Sequence, residues 1–338
     1  MTRILLTYPR SDLHAWYGPQ AQQALRELGE LVLREDDGVI HEDDLIELAD
    51  GCDLIISDKP TGASERLFHA RPQLQAFLRC AMDLRGIDVE AASRHGVLVT
   101  HAGPGFINAV SEWIIAQMIN LARGLPQYYA AYQNGLVPTQ RMGRQVAGST
   151  GGIIGFGQIA ATLTPVLQAM GQKVVTYDPY LDREPAGVER LSLDELLTCS
   201  DYVICLASHN AETENLADAA FFSRMKKGAF FINASRGRLV DEQALNNALG
   251  ASHLAGAALD VGRGHDDHPT TLLAQRDDLL ATPHIGGMVP EAIGYQVQQT
   301  IAQARTILNG RIPEGAVNPS AALRMQGRPS APDKLSHN

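Results

Sequence analysis

Two histidines and two aspartates stand close together in the stretch Gly-Arg-Gly-His-Asp-Asp-His-Pro at residues 262–269. Side chains of these types could bind a metal ion, relay a proton in catalysis, or face water in a surface loop. A metal site is the weakest interpretation, because His265 and His268 supply only two ligands on a short loop. We therefore predict no metal here and assign Asp266, Asp267 and His268 to a solvated loop. A proton relay through His265 depends on where the rest of the chain places it.

A glycine-rich stretch, Gly-Phe-Gly-Gln-Ile-Ala at residues 155–160, follows an apolar run and opens a helical segment. A strand before such a motif and a helix after it are the context of a dinucleotide site. Gly155 permits the tight turn, and Gly157 lets the main chain approach a pyrophosphate. The pyrophosphate would bind the main-chain N–H groups of Gln158 and Ile159, at the positive end of the helix.

An acidic residue, Asp178, ends the next apolar run and lies 18 positions after Ala160. A carboxylate there accepts hydrogen bonds from ribose hydroxyls and repels a 2′-phosphate. The sequence therefore predicts NAD as the cofactor in preference to NADP. Ala160 stands where the third glycine of the motif is usual, and alanine is accepted at that position. The alternative is a structural glycine turn beside a solvated acid.

Short apolar runs of strand type alternate with helical stretches in two series. The first series has such runs near residues 4–8, 31–33, 53–57, 74–81 and 96–103. The second series begins at the glycine motif and continues to about residue 284. Strands separated by helices predict parallel βαβ units, and runs this apolar are typical of strands buried on both faces. The chain is thus predicted to form two α/β domains.

A long, largely apolar stretch at residues 111–135 separates the two series. It is punctuated by Gly124 and Pro126 and otherwise has the composition of a helix. A helix so apolar must be buried between layers or at an interface.

The bulk composition, with 45% hydrophobic and 20% charged residues, is that of a globular protein, and 338 residues suit two domains. A net charge of −10 argues against nucleic acid as a partner, because phosphate binding needs a basic face. No apolar run predicts a membrane span, and the N-terminus does not have the pattern of a signal peptide. The four cysteines show no CxxC spacing, so we expect free thiols and a cytoplasmic location.

Six stretches of the sequence resemble the D-isomer-specific 2-hydroxyacid dehydrogenases, in the order in which that family has them. They are GIDVEAASRHGVLVT (86–100), AVSEWIIAQMINLAR (109–123), GGIIGFGQIA (151–160), MKKGAFFINASRGRLVDEQAL (225–245), GAALDV (256–261) and TPHIGG (282–287). The resemblance covers most of the chain between about residues 70 and 290.

The resemblance implies an α/β fold with two Rossmann-like, doubly wound parallel-sheet domains and an active site in a cleft between them. Residues 1–103 plus 288–318 would form the substrate-binding domain, and residues 104–287 the NAD-binding domain. Residues 319–338, rich in Gly, Pro, Ser and charges, are expected to be disordered. The resemblance also implies a homodimer that pairs through the NAD-binding domains, which would bury the stretch 111–135.

The chemistry that the resemblance implies is hydride transfer between NAD and C2 of a 2-keto or 2-hydroxy acid. Arg236 would bind the substrate carboxylate and carbonyl oxygen with its planar fork of donors. His284 would be the acid/base, since histidine titrates near neutral pH. Asp260 would lie near the nicotinamide, and main chain near Ala234 and Gly286 would help to hold that end of the cofactor.

The sequence departs from the family pattern in the loop that would receive the substrate. The family presents main-chain N–H groups of a glycine-containing loop to the substrate carboxylate, whereas this chain has Met82, Asp83 and Leu84. We assign substrate binding to these three residues. An acid beside an anionic substrate is unexpected, so Asp83 or Arg85 could instead contact a polar group elsewhere on the substrate.

A second departure is at position 265, where the family has a Glu that orients the catalytic His. His265 lies five residues after Asp260, and no gap is needed to align it with that Glu. We hypothesise that His265 contacts and orients His284, with Asp266 or Asp267 as the alternative partner. A second imidazole would accept the same hydrogen bond but supply no negative charge.

Two other functions remain open on this fold. One is oxidation of a different hydride donor, such as formate or phosphite. The other is a nucleotide-sensing binding module with little catalytic activity, which the missing Glu favours and which Arg236 and His284 oppose. An assay of 2-keto acids with NADH would separate the three.

Overall fold

The computed structural model describes residues 1–325, and within that part of the chain the fold has twelve strands and thirteen helices. The strands are β1 Arg3–Leu6, β2 Glu30–Leu33, β3 Leu54–Ser57, β4 Ala76–Arg79, β5 Leu98–His101, β6 Thr150–Ile154, β7 Lys173–Tyr177, β8 Glu189–Arg190, β9 Tyr202–Cys205, β10 Phe230–Asn233, β11 Gly256–Leu259 and β12 Leu279–Ala281. The helices are α1 Arg10–Trp16, α2 Pro19–Arg26, α3 Glu42–Leu48, α4 Glu65–Ala70, α5 Val89–Arg94, α6 Ile107–Arg123, α7 Leu125–Gln133, α8 Gln158–Ala169, α9 Leu193–Cys199, α10 Ala219–Arg224, α11 Glu242–Gly250, α12 Thr271–Ala274 and α13 Pro290–Leu308.

The first of two compact units comprises Met1–Gly105 and the described residues from Val289 onward. Its five parallel strands lie in the order β2-β1-β3-β4-β5, one of the two common doubly wound orders. Successive strand residues point to opposite faces, so Ile4 joins one apolar cluster and Leu5 another. The sheet therefore has a core on both sides, as the continuous apolar runs predict.

The segment after α13 differs from the expected disorder. Pro319–Ala321 and Leu323–Met325 form 3₁₀ turns, and the last of these residues is buried in the apolar cluster beside β1. Arg324 donates hydrogen bonds to three main-chain carbonyls, that of Phe68 in the last turn of α4 and those of Arg71 and Leu74 after this helix. The prediction of disorder is wrong for residues 319–325, because these contacts outweigh a loop-like composition. Residues 326–338 lie outside the described part of the chain.

The second unit, Phe106–Met288, contains seven parallel strands in the order β12-β11-β10-β9-β6-β7-β8. The chain moves outward from β6 to β8, returns to β9, and then moves the other way to β12. Loops at such a switch point leave a crevice at the carboxyl ends of the strands, where ligands bind in this architecture. The predicted α/β fold class with parallel sheets in two domains is confirmed. The expected boundaries, 103/104 and 287/288, compare with 105/106 and 288/289 in the structure, and the role given to each domain stays a prediction.

The apolar stretch 111–135 forms two helices, because a break falls at Gly124. Gly124 adopts a left-handed conformation with φ of 62°, which ends α6, and α7 begins at the next residue. α6 packs on α8 and on the sheet, so its predicted burial is confirmed. α7 has no buried residue, and its Tyr129 and Tyr132 are 64% and 65% exposed. Of the two helices formed by the stretch 111–135, α7 is therefore the one that has an exposed surface for the expected interface.

No helix within residues 1–325 has both the length and the apolar character needed to cross a membrane. The four cysteines are free thiols, as expected, and Cys52, Cys80 and Cys205 are buried. Burial raises the pKa of Cys52 to about 11 and that of Cys205 to about 12. Both thiols therefore stay protonated at neutral pH and act as packing residues.

Asn318 fastens the segment after α13 to β5. Its side chain accepts a hydrogen bond from Val99 N at 2.8 Å and donates to Val97 O and Ser93 Oγ at 2.9 Å each. Asn318→Ala removes these bonds and leaves a buried N–H without that acceptor. We expect the free energy of unfolding to fall by about 2–4 kcal/mol, measured by chemical denaturation.

The matched control is Asn309→Ala, at the exposed end of α13, which should change that free energy by less than about 0.5 kcal/mol. If Asn318→Ala changed stability as little as its control, the ordering of this segment would owe nothing to Asn318.

Candidate active site

Six loops of the second unit leave the carboxyl ends of neighbouring strands along one edge of the sheet. Across the sheet they follow β12, β11, β10, β9, β6 and β7, and all these strands are parallel. Residues assigned to chemistry or cofactor therefore lie on consecutive loops of a single edge. In that order they are His284, Asp260, Ala234 and Arg236, Gly155 and Gly157, and Asp178; the loop at 206–210, after β9, carries no assigned residue.

The glycine motif forms the turn that the sequence predicts, between β6 and α8. Gly155 has φ of 86°, and a Cβ there would stand 2.6 Å from Cα of Ala207, so a larger residue cannot be accommodated. Gly157 caps α8, and a Cβ on it would meet nothing within 4 Å. The N–H groups of the first turn, from Gln158 and Ile159, have no acceptor within the helix. This open surface with its donors fits the pyrophosphate of a dinucleotide.

Asp178 follows β7 and is joined directly to the glycine turn. Its Oδ2 accepts a hydrogen bond from Phe156 N at 2.8 Å, and its Oδ1 accepts one from Tyr180 N at 2.9 Å. The structure thus brings the acid and the motif together, as a ribose-binding carboxylate requires. The hydrogen bond from Phe156 N also gives Asp178 a structural role in the turn. Holding the glycine turn and binding a ribose are therefore compatible roles for this carboxylate.

Asp260 is buried at the end of β11 and holds the loop that carries His284. Its Oδ1 accepts hydrogen bonds from Thr282 Oγ1 at 2.6 Å and Ile285 N at 2.9 Å, and its Oδ2 accepts one from Gly286 N at 2.8 Å. Its main-chain carbonyl also accepts a bond from His284 N at 2.9 Å. The family resemblance implies a position for Asp260 near the nicotinamide, but no signal in the sequence indicates that its carboxylate organises this loop.

His284 is partly buried and adopts φ of 56°, a left-handed conformation that is uncommon for a residue with a side chain. Such a conformation persists only where the surroundings determine it. The bonds from Asp260 on either side of His284 provide that determination. Gly286 is required beside it, since a Cβ there would stand 2.8 Å from the Asp260 carboxylate.

Arg236 and Ala234 lie in a turn that follows β10. The buried side chain of Asn233 closes this turn by donating to Arg236 O at 3.0 Å and accepting from Ser235 N at 3.1 Å. The Arg236 guanidinium donates to Ser235 O at 2.8 Å and is exposed. Asn233 was given no role from the sequence, although it stands in the matching stretch 225–245. Arg236 is thus a cation available to an anion from solvent.

The loop of residues 262–270, called the acid loop below, contains the opening histidines and aspartates. Gly262 N donates to Asp267 O at 2.7 Å, and Gly264 N donates to His268 O at 2.8 Å. Within residues 1–325 no cluster of three or more side chains of His, Cys, Asp or Glu could hold a metal ion.

The structure does not bring His265 to His284. The His265 side chain is 93% exposed, and its Nδ1 lies 3.1 Å from Oδ2 of the neighbouring Asp266. The predicted contact is therefore wrong, because the chain turns at Asp266 and Asp267, with φ of 54° and 61°, and leaves the ring in water. Asp267 is partly buried and stays the alternative partner.

The predicted substrate loop, Met82, Asp83 and Leu84, belongs to the first unit. Asp83 accepts from Arg85 N at 2.9 Å and Arg85 Nε at 2.7 Å, and Arg85 Nη2 lies 2.6 Å from its Oδ2. Burial alone would raise the pKa of Asp83, but the bonds and charge of Arg85 lower it below its ordinary value. The unexpected acid is thus ionised and compensated within its own loop.

The Asp260 bonds generate a prediction about the order of the His284 loop. Asp260→Asn keeps the size of the side chain but replaces one acceptor oxygen with an NH₂ group. That group would face the N–H and O–H donors of the His284 loop, from which it cannot accept a hydrogen bond. We expect the free energy of unfolding to fall by about 2–4 kcal/mol and the amides of Ile285 and Gly286 to exchange faster with deuterium.

The control is Asp266→Asn, which changes an exposed acid on the neighbouring loop. Protection of those two amides equal to that of the unmodified protein would show that Asp260 does not hold the loop.

Comparison with known proteins identifies the second unit. Residues 115–286, just over half of the chain, match the sequence profile described as "D-isomer specific 2-hydroxyacid dehydrogenase, NAD binding domain". The D-3-phosphoglycerate dehydrogenases of Synechocystis sp. and Rattus norvegicus are each 31% identical. Those matches cover 82% and 87% of this chain and 51% and 55% of the relatives. The chain therefore spans about half the length of the curated relatives it matches.

Solved structures agree with the fold. The TT0316 protein from Thermus thermophilus is 27% identical with a TM-score of 0.82, over 94% of this chain and 100% of that one. A D-2-hydroxyisocaproate dehydrogenase is 21% identical with a TM-score of 0.84 over the same shares, which supports the fold alone. The predicted family and its NAD cofactor are confirmed: the chain belongs to the D-isomer specific 2-hydroxyacid dehydrogenases.

Proposed function

We propose that this chain catalyses reversible hydride transfer between NAD and C2 of a 2-hydroxy or 2-keto acid. The observation that carries the proposal is the order of loops along one sheet edge. The glycine turn and Asp178 lie toward one end, and Arg236 and His284 toward the other. A cation for a carboxylate and a histidine for a proton are the groups that this reaction needs beside its cofactor.

NAD, when bound, would accept or supply the hydride. The N–H groups of Gln158 and Ile159 would hold its pyrophosphate, and Asp178 its ribose. Main chain at Ala234 and Gly286 would lie toward the nicotinamide end. Asp260 would act there through the loop it organises, because its carboxylate already accepts three hydrogen bonds from that loop.

Arg236 would bind the substrate carboxylate and polarise the carbonyl at C2 with its fork of N–H donors. His284 would donate a proton to the carbonyl oxygen during reduction and take it back during oxidation. The orienting partner of His284 is proposed to be Asp267 in place of His265. A carboxylate beside an imidazole favours the protonated ring, which is the form that reduction consumes.

The substrate is proposed to be a small or medium 2-keto acid, with the loop of Met82, Asp83 and Leu84 contributing to its binding. Compensation of Asp83 by Arg85 supports this role, because the loop then presents little net charge to an anion.

We also propose a homodimer that uses the exposed face of α7, and a cytoplasmic location.

The direct test incubates the protein with NADH and each of a panel of 2-keto acids and monitors the loss of NADH absorbance. Turnover of at least one acid supports the proposal. NADH binding without turnover of any acid would favour a nucleotide sensor, and NAD reduction by formate or phosphite would favour the other class of donor.

Arg236→Lys keeps the charge and loses the planar fork. Because the lost contact strengthens at the transition state, we expect kcat/KM to fall by at least about a hundredfold with NADH affinity unchanged. Steady-state kinetics and fluorescence titration measure the two effects. Arg238→Lys, on the same turn and also exposed, should leave kcat/KM near its original value. Near-full activity of Arg236→Lys would remove Arg236 from the site.

Asp178→Asn tests the preference for NADH over NADPH. Asn retains an acceptor for Phe156 N while removing the charge that would repel a 2′-phosphate. We expect the ratio of kcat/KM for NADH to that for NADPH to fall by about tenfold or more. Asp182→Asn changes an exposed acid four residues farther along the same loop and should leave the ratio unaltered. Equal use of both cofactors by the unmodified enzyme would contradict the role of Asp178.

A further inference from the structure

Arg263, the second residue of the acid loop, ties that loop to three other segments of the second unit. Its N donates to Glu242 Oε1 at 2.9 Å and its Nε to Val240 O at 2.9 Å. Its Nη2 reaches Arg238 O at 2.9 Å, Glu214 Oε1 at 3.1 Å and the side-chain carbonyl of Asn215. The guanidinium can bond the four acceptors other than Glu242 together because its donors are arranged in a rigid plane.

Glu242, the first residue of α11, holds both ends of the acid loop with one carboxylate. Its Oε1 accepts from Arg263 N, and its Oε2 accepts from Thr270 Oγ1 at 2.6 Å. The two fastened positions lie seven residues apart and enclose Asp267. Since α11 is a regular helix whose start is capped by Asp241, the carboxylate is presented from a fixed element.

The conformation between these ends is not one that the local sequence prefers. Asp266 and Asp267 both have positive φ, and successive residues with side chains in that region require support from outside. Internal bonds from Gly262 and Gly264 close the loop, and Gly237 packs so closely on Gly262 that a Cβ would overlap its carbonyl. The turn bearing Arg236 and the acid loop are therefore fitted to one another.

We propose that Arg263 and Glu242 are positioning residues, which fix Asp267 where it can act on His284. The proposal rests on the proposed function, since Asp267 is the partner of His284 only under that mechanism. It explains the stretch Gly-Arg-Gly-His-Asp-Asp-His-Pro: the arginine holds the loop, the second aspartate supplies the charge, and His265 is solvated.

The direction of the expected pH effect follows from charge. A carboxylate held near His284 keeps the ring protonated to higher pH, so reduction continues to higher pH. In a plot of kcat/KM for reduction against pH, the basic limb is the fall in rate at high pH as His284 loses its proton. Loosening the acid loop should move this limb to lower pH. Other charged or titratable groups on the loops around His284 are Asp260, Arg236, His265, Asp266 and His268, and none of them is substituted in the variants below.

The experiment uses Arg263→Met, Glu242→Gln, Asp267→Asn and the double variant of Arg263→Met with Asp267→Asn. Arg263→Met and Glu242→Gln should each move the basic limb down by about one pH unit and lower kcat/KM at neutral pH by about tenfold. NADH affinity should not change. In the Asp267→Asn background, Arg263→Met should produce no further shift, because the group it positions has gone.

A further readout and a control variant separate positioning from general instability. Deuterium exchange of the Gly262 and Gly264 amides should speed up in Arg263→Met and Glu242→Gln whether or not the protein turns over substrate. Arg276→Met removes an arginine whose side chain is 23% exposed, against 30% for Arg263, and which bonds Asp278 and Asn246; it should move neither the limb nor these amides.

The outcomes are distinguishable. An unmoved basic limb in both Arg263→Met and Glu242→Gln, or unaltered exchange of the two amides, overturns the positioning role. A shift from Arg263→Met that is equally large with and without Asp267 also overturns it. An unmoved limb in Asp267→Asn would instead show that the proposed partner of His284 is wrong.

Discussion

A buried carboxylate at the end of β11 is the interaction on which the candidate site depends. Asp260 accepts hydrogen bonds from Thr282, Ile285 and Gly286, and together with its main-chain carbonyl it surrounds His284. A buried charge is costly unless its hydrogen bonds are satisfied, and here the loop itself satisfies them. The loop can then hold His284 in a left-handed conformation that it would not keep alone.

The second constraint is the close approach of main-chain segments from different loops. At three such contacts a glycine is present where a Cβ would not fit. Gly155 lies against the loop after β9, Gly237 against the acid loop, and Gly286 against Asp260. Each contact joins loops that follow different strands of one sheet edge. A hydrogen bond from Ser235 to Ala207 O joins the loops after β10 and β9, so the glycine turn and the loop of His284 belong to one packed surface. Glycines set how near these loops can come.

The sequence could predict what depends on local pattern or strand order. The glycine turn, Asp178, Arg236 and His284 all follow apolar strands, so their common edge could be foreseen. The loop at 262–270 could not, because its course is set by a carboxylate 21 positions earlier in the chain and by two residues with positive φ. Counting residues therefore put His265 at the active site, whereas the turn leaves it in solvent. The contacts of residues 319–325 likewise depend on tertiary structure, whereas the pairing of Asp83 with Arg85 joins residues only two positions apart.

The most direct measurement of the central claim is the fate of the hydride. NADH carrying deuterium at both C4 positions would be incubated with the chain and a 2-keto acid, and the product examined by NMR and chiral chromatography. If the account is right, deuterium appears at C2 of a D-2-hydroxy acid, in proportion to the NADH consumed. Oxidation of NADH without deuterium at C2, or no oxidation with any 2-keto acid despite bound NADH, would contradict it.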